Sequence, residues 1–130
     1  MAAGTSGFDS GAYRVDITGA AATTGGGIAS IANPEGAAIF ITRVILNVTT
    51  ISTGAAAVNV GVGSSATTDY DNLIDGVDVN TAVIVADNMK NAGSNGKGGQ
   101  PWPAAHFLNL TGSATTAGMV AELIIQWVRL

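Results

Sequence analysis

Between Ala37 and Ile51 the chain reads AAIFITRVILNVTTI, its longest apolar run, and this stretch sets the terms for everything around it. β-Branched residues dominate it, which favours a strand over a helix. At a period of two, Phe40, Val44, Leu46 and Val48 fall on one face, while Ile39, Ile41 and Ile45 fall on the other with Arg43 and Asn47. A strand apolar on both faces has to be covered on both, whereas a small two-layer domain covers only the inner one. The second cover is then another subunit or, alternatively, the long connection over residues 63 to 80.

The remaining strands are shorter. Tyr13 to Thr18 alternates Tyr13, Val15 and Ile17 against Arg14, Asp16 and Thr18, the pattern of a half-buried strand. GIASIA follows, stopped by Asn33-Pro34-Glu35-Gly36, where Asn-Pro initiates a turn and Gly36 tolerates positive φ. Ala57 to Val62 returns after Ser52-Thr53-Gly54 and reads as the antiparallel hairpin partner of the central strand. Residues 63 to 80 form a polar connection with an apolar insert, or a short helical turn over 69 to 80. Ala82 to Ala86, His106 to Thr111 and Met119 to Leu130 supply further strands. In the last, Leu123, Ile125 and Trp127 share one face, and Glu122 and Gln126 lie among Val120, Ile124 and Val128 on the other. Asn95-Gly96, inside the loop NAGSNGKGGQ, suits a type I′ turn. Seven or eight strands without any 3.6-residue period predict a single-domain, all-β antiparallel sandwich of the jelly-roll type. The domain spans residues 13 to 130, behind a flexible N-terminal arm of residues 1 to 12. Phe8 is the arm's one bulky side chain and its candidate anchor point.

Charge and residue usage narrow the functions. Five basic residues stand against nine acidic ones, for a net charge of −4, which argues against nucleic-acid binding. The absence of cysteine removes disulfides, thiolate nucleophiles and Cys-based zinc sites. No basic leader followed by an apolar segment opens the chain, and no run is long enough to span a membrane. The expectation is a protein made in the cytoplasm without a cleaved signal.

The candidate chemistry is sparse. Gly61 to Ala66 spells G-x-G-x-x-A after a strand, but TTDYDN supplies no helix to receive a pyrophosphate. Asp69, Asp71, Asp75 and Asp78 concentrate oxygen ligands that calcium can use, although the spacing is not that of an EF-hand; a solvated loop shaped by its Asp and Asn residues is the competing reading. His106 is the only histidine and has no evident partner base or nucleophile. Trp102, between Pro101 and Pro103, offers a sugar-stacking surface together with His106 and the 91 to 100 loop, or else closes one end of the core. No enzyme, cofactor or metal is expected from this set. The residues with the clearest purpose are those of the second apolar face: Ile39, Ile41, Arg43 and Ile45 of the central strand with Val120, Glu122 and Ile124 of the last. They predict a subunit interface, with Arg43 and Glu122 at its rim.

The low-complexity N-terminal arm, ITRVILNVTTISTGAAAVNVGVG, DNLIDGVDVNTA and the loop NAGSNGKGG together resemble small structural proteins of tailed bacteriophages, of the capsid decoration or cement type. That resemblance implies a virion protein, on the capsid surface or alternatively a tail or fibre component, a homo-oligomer with a trimer favoured, and a major capsid protein as partner. Residues 1 to 12 carry too little apolar surface to offset the entropy of ordering themselves, so the arm is expected to be a tether that a neighbour orders.

Overall fold

The computed structural model describes residues 9–19 and 27–130. Phe8 and the rest of residues 1 to 8, on which the tether expectation falls, lie outside the described residues. The described residues form nine strands: β1 (Ser10–Thr18), β2 (Ala29–Ala32), β3 (Ile39–Thr50), β4 (Ala57–Gly63), β5 (Ile74–Asp78), β6 (Ile84–Asp87), β7 (Gln100–Trp102), β8 (Phe107–Gly112) and β9 (Val120–Arg129). They form two antiparallel sheets. The first runs β1-β9-β3-β6, with β7 also paired to β3, and the second runs β2-β8-β4-β5. Their apolar faces share one core that includes Val44, Leu46, Leu123 and Ile125 from the first sheet and Val58, Val60, Leu108 and Leu110 from the second. The chain is an all-β sandwich.

The central strand is not a plain alternation. Ile41 pairs with Trp127 and Arg43 with Gln126, so Thr42 and Arg43 together oppose a single residue of β9. An extra residue of this kind is a β-bulge, and it inverts the side-chain parity of everything beyond it. Ile39 and Ile41 therefore join Val44, Leu46 and Val48 in the core, with Ile39 and Ile41 both fully buried. Phe40 turns to the outer face instead. Arg43, Ile45 and Asn47 stay there as the sequence pattern indicated.

The gap opened by the bulge lies between the stretches of β3 that pair with β7 and with β6. Asn88 fills it. Its side chain is wholly buried, accepts a hydrogen bond from the Val44 N–H at 2.9 Å, and donates to the Lys97 carbonyl at 3.1 Å. A buried N–H without a partner costs about 1–3 kcal/mol, so the Asn88 amide is what lets the bulge persist in the interior.

Other sequence expectations change in physically transparent ways. β3 and β4 are no hairpin, because the chain crosses between them from one sheet to the other and β4 pairs with β5 and β8. The polar connection contains a strand, β5, rather than a helical turn. β7 was hidden by Pro101, which edge positions accommodate. Asn95-Gly96 is not a type I′ turn: that turn needs positive φ at both central residues, and here positive φ falls on Gly93. β1 begins at Ser10, so the last residues assigned to a free arm are part of the sheet. The turn after β2 is as expected, with the Glu35 N–H donating to Asn33 Oδ1 at 2.8 Å and Gly36 at φ +66°.

Two polar assemblies close the ends and cover the second sheet. At one end Glu35 accepts from the Tyr13 hydroxyl and from Arg129 Nη2, and Arg129 Nε reaches Asp9 at 2.9 Å. The Tyr13 ring stacks on Trp127, and the Arg129 guanidinium lies 5.7 Å from the Trp127 ring centre. The Glu35 carboxylate beside it raises the Tyr13 phenol above its ordinary range. On the outer side of the second sheet, Asn109 donates to the Ser65 and Thr68 carbonyls at 2.9 and 2.8 Å. This fastens the 64 to 72 loop down, and Tyr70 comes to rest on β4. A Cβ at Gly63 would stand 2.0 Å from Tyr70 Cζ. Gly63→Ala should therefore lift Tyr70 from the sheet and lower stability by about 1–3 kcal/mol in urea denaturation, with the fold retained.

Candidate assembly face

The outer face of the first sheet is built by register. Across it, Val85 stands beside Asn47, Asn47 beside Glu122, and Glu122 beside Asp16. The next row is Asp87, Ile45, Ile124 and Arg14. Beyond the bulge come Arg43 with Gln126, and Phe40 with Val128. Ile45 and Ile124 are thus cross-strand neighbours at the centre of the face, and both are half-buried.

Charged pairs flank them on both sides. Arg43 Nη2 lies 2.9 Å from Asp87 Oδ2, and Arg14 Nε lies 3.2 Å from Glu122 Oε2. Hydrogen bonds from the Lys90 and Met89 N–H groups and from Arg43 hold the Asp87 carboxyl below its usual range. The sequence pattern placed Arg43 and Glu122 at the rim of an interface, and each binds a partner of its own within the chain. Exposed pairs like these contribute little to stability, but they order long side chains around an apolar centre.

Of the seven residues expected at an interface, the structure brings five together on this face: Arg43, Ile45, Val120, Glu122 and Ile124. Ile39 and Ile41 are not among them. The Thr42 bulge turns both inward, where no other subunit can reach them. The face gains residues the sequence pattern missed. Plain alternation puts Phe40 in the core, and Val85 lies in an expected strand whose faces the pattern does not distinguish. Val85 is 59% exposed and Val120 43%. Large apolar side chains left this open on one face are characteristic of contact surfaces.

The other candidates resolve into local structure. Trp102 is fully buried and donates from Nε1 to the His106 carbonyl at 3.0 Å, so its ring closes the core and offers no stacking surface. His106 sits in the tight turn between β7 and β8, its N–H donating to the Pro103 carbonyl at 3.0 Å. The G-x-G-x-x-A stretch runs from β4 into the loop beneath Tyr70, whose hydroxyl accepts from the Ser65 N–H at 3.0 Å. That hydrogen bond draws the Tyr70 phenol below its ordinary range. The aspartates are dispersed. Asp69 accepts from Thr111 and Asn59, Asp71 from Asn95, and Asp75 from the Ser94 and Asn95 N–H groups. Asp78 accepts from Thr81 and Asn80, which lowers its carboxyl. Among the described residues no three His, Asp or Glu side chains come together as a metal site. An open groove lined by Ala55, Ala57, Asp78, Asn80, Thr81 and Ser113 has its polar groups already committed, with Asn80 donating to the Ser52 carbonyl and Ser113 accepting from the Ala57 N–H.

A scan against protein-family models, a search of curated proteins and a search of solved structures each found no match.

Two substitutions four residues apart separate the core from the outer face. Ile41→Asp buries a carboxylate in the sandwich and should lower stability by about 4 kcal/mol or more, leaving the chain unfolded by circular dichroism. Ile45→Asp should stay folded, because its side chain can reach water.

Proposed function

We propose that this chain is a non-enzymatic structural protein of a tailed-phage particle: a decoration protein that is made in the host cytoplasm and sits on the capsid surface. There it contacts the major capsid protein and acts as a homo-oligomer, with a trimer favoured. The observation that carries the assembly role is the outer face of the first sheet, where Ile45 and Ile124 meet between two ion pairs and Val85 and Val120 are left exposed. Burial of each such side chain contributes roughly 1.5–3 kcal/mol, enough for a few of them to hold subunits together. The phage setting comes from the resemblance of the arm, the central strands and the Gly/Asn loop to capsid decoration proteins.

The sandwich is assigned as a jelly roll. In the orders β1-β9-β3-β6 and β2-β8-β4-β5, matched positions hold consecutive strands: β1 with β2, β9 with β8, β3 with β4, and β6 with β5. A long antiparallel ribbon rolled on itself has this arrangement, with β7 as an insertion between β6 and β8. The polar groups support a structural role as well, since the loop carboxylates are engaged in shaping turns.

The test is made on purified particles and on the genome. The chain should be present at a fixed ratio to the major capsid protein, and a folded Ile124→Asp variant should be depleted from the particles. A major capsid reading frame should lie nearby. Recovery of the wild-type chain only from the soluble fraction refutes the virion role, and a tail gene as neighbour moves it away from the head.

A further inference from the structure

The sandwich has five edge strands among the described residues, β1, β6 and the three-residue, proline-bearing β7 in the first sheet and β2 and β5 in the second. Unpaired edges template association with other strands, and they are usually blunted by shortness, bulges, proline or charged side chains, which repel a second edge of the same charge. β2 and β6 have four residues each; β5 has five and pairs with β4 across a register shift. β1 is long, unbroken and without proline, and its two charged side chains, Arg14 and Asp16, are of opposite sign. It runs nine residues, SGAYRVDIT, and pairs with β9 from Ser10 opposite Val128 to Thr18 opposite Val120 without a break.

Its free backbone groups can be identified by parity. Just beyond the two ends of the strand, the Arg129 N–H donates to the Asp9 carbonyl and the Gly19 N–H to the Met119 carbonyl, both at 2.7 Å. Odd-numbered residues therefore bond toward β9, and the N–H and C=O groups of Ser10, Ala12, Arg14, Asp16 and Thr18 point away from it. The same residues carry their side chains on the outer face, all exposed.

We propose that this edge binds the β1 edge of a second copy of the chain, antiparallel about a two-fold axis at Val15. Charge selects the register. With Val15 opposite its own copy, Arg14 faces the copy's Asp16 and Asp16 faces its Arg14, while Ala12 faces Thr18. A shift by one hydrogen-bonded step sets Arg14 against Arg14 or Asp16 against Asp16, and like charges directly opposite are destabilising. Arg14 is two-thirds exposed while bound to Glu122 through Nε, so its terminal nitrogens are available to the second strand. On the inner face, half-buried Tyr13 and Val15 at this edge lose their remaining exposure in the joined sheet. The contact is isologous, runs through the edge backbone at the margin of the outer face, and needs no phage setting: where trimers form through the centre of that face, the edge joins one trimer to the next.

The experiment is a charge swap read by analytical ultracentrifugation, with circular dichroism to confirm folding. Arg14→Asp puts like acids opposite each other and Asp16→Arg puts like bases opposite each other, so each variant alone should dissociate at least tenfold more readily. Mixed in equal amounts they should associate, because the two acids on the edge of one variant then meet the two bases on the edge of the other. Ala12→Pro removes one outward-facing N–H without touching the β9 ladder, and should also weaken association. Single variants that retain the wild-type mass overturn the edge contact, as does a mixture that stays dissociated. A mass lost by Ile124→Asp alone leaves assembly to the outer face and also overturns it.

Discussion

The Thr42 bulge is the constraint on which the first sheet depends. Without the extra residue, β3 can place either Ile39 and Ile41 or Val44, Leu46 and Val48 toward the second sheet, but not both sets. With it, five large side chains from one strand enter the core, all within 2% of full burial. The cost is a break in the ladder, and the break is repaired locally. Thr42 bonds the Gln126 carbonyl through its hydroxyl, Arg43 swings out to Asp87, and the Asn88 amide satisfies Val44. A run of isoleucines that looks like surplus apolar surface is thereby divided, most of it structural and a smaller part left facing outward.

What remains on the outside is modest in area but ordered. Ile45 and Ile124 are held at the middle of a twisted sheet by backbone pairing alone, and the salt bridges beside them keep Arg14 and Arg43 extended across the strands. Side chains already ordered in this way leave few to be immobilised in any contact. Among the described residues the second sheet is covered differently. The 64 to 72 loop folds over β4 and β8, and Asn109, Thr111 and Asp69 bind it there, so this side of the sandwich is closed by its own chain.

Apolar alternation and β-branched runs revealed β1, β2, β3, β4, β6, β8 and β9 to within a few residues, because each packs one face on the core. It could not reveal partners. β4 follows β3 closely in sequence and yet lies in the other sheet, a choice made by long-range pairing with β8 rather than by the turn between them. β7 carries a proline, and Ser10 to Ala12 carry no large apolar side chain, so neither segment announces itself; β1 reaches that far because Trp127 lies across Gly11. The bulge left one trace, the consecutive polar residues Thr42 and Arg43 inside an otherwise apolar run. Five of the interface candidates were legible since they lie beyond that break on β3 or on β9, and Ile39 and Ile41 were misplaced because they lie before it.

The parity of β3 is the central claim, and the chain suits a direct test because it has no cysteine of its own. Single cysteines placed at residues 39, 41, 43 and 44 can be followed by the rate of thiol labelling in the folded protein. The bulged strand predicts fast labelling at position 43 and strong protection at 39, 41 and 44, with protection lost on denaturation. Labelling at 39 and 41 as fast as at 43, with 44 still protected, is the signature of unbroken alternation and would contradict the account.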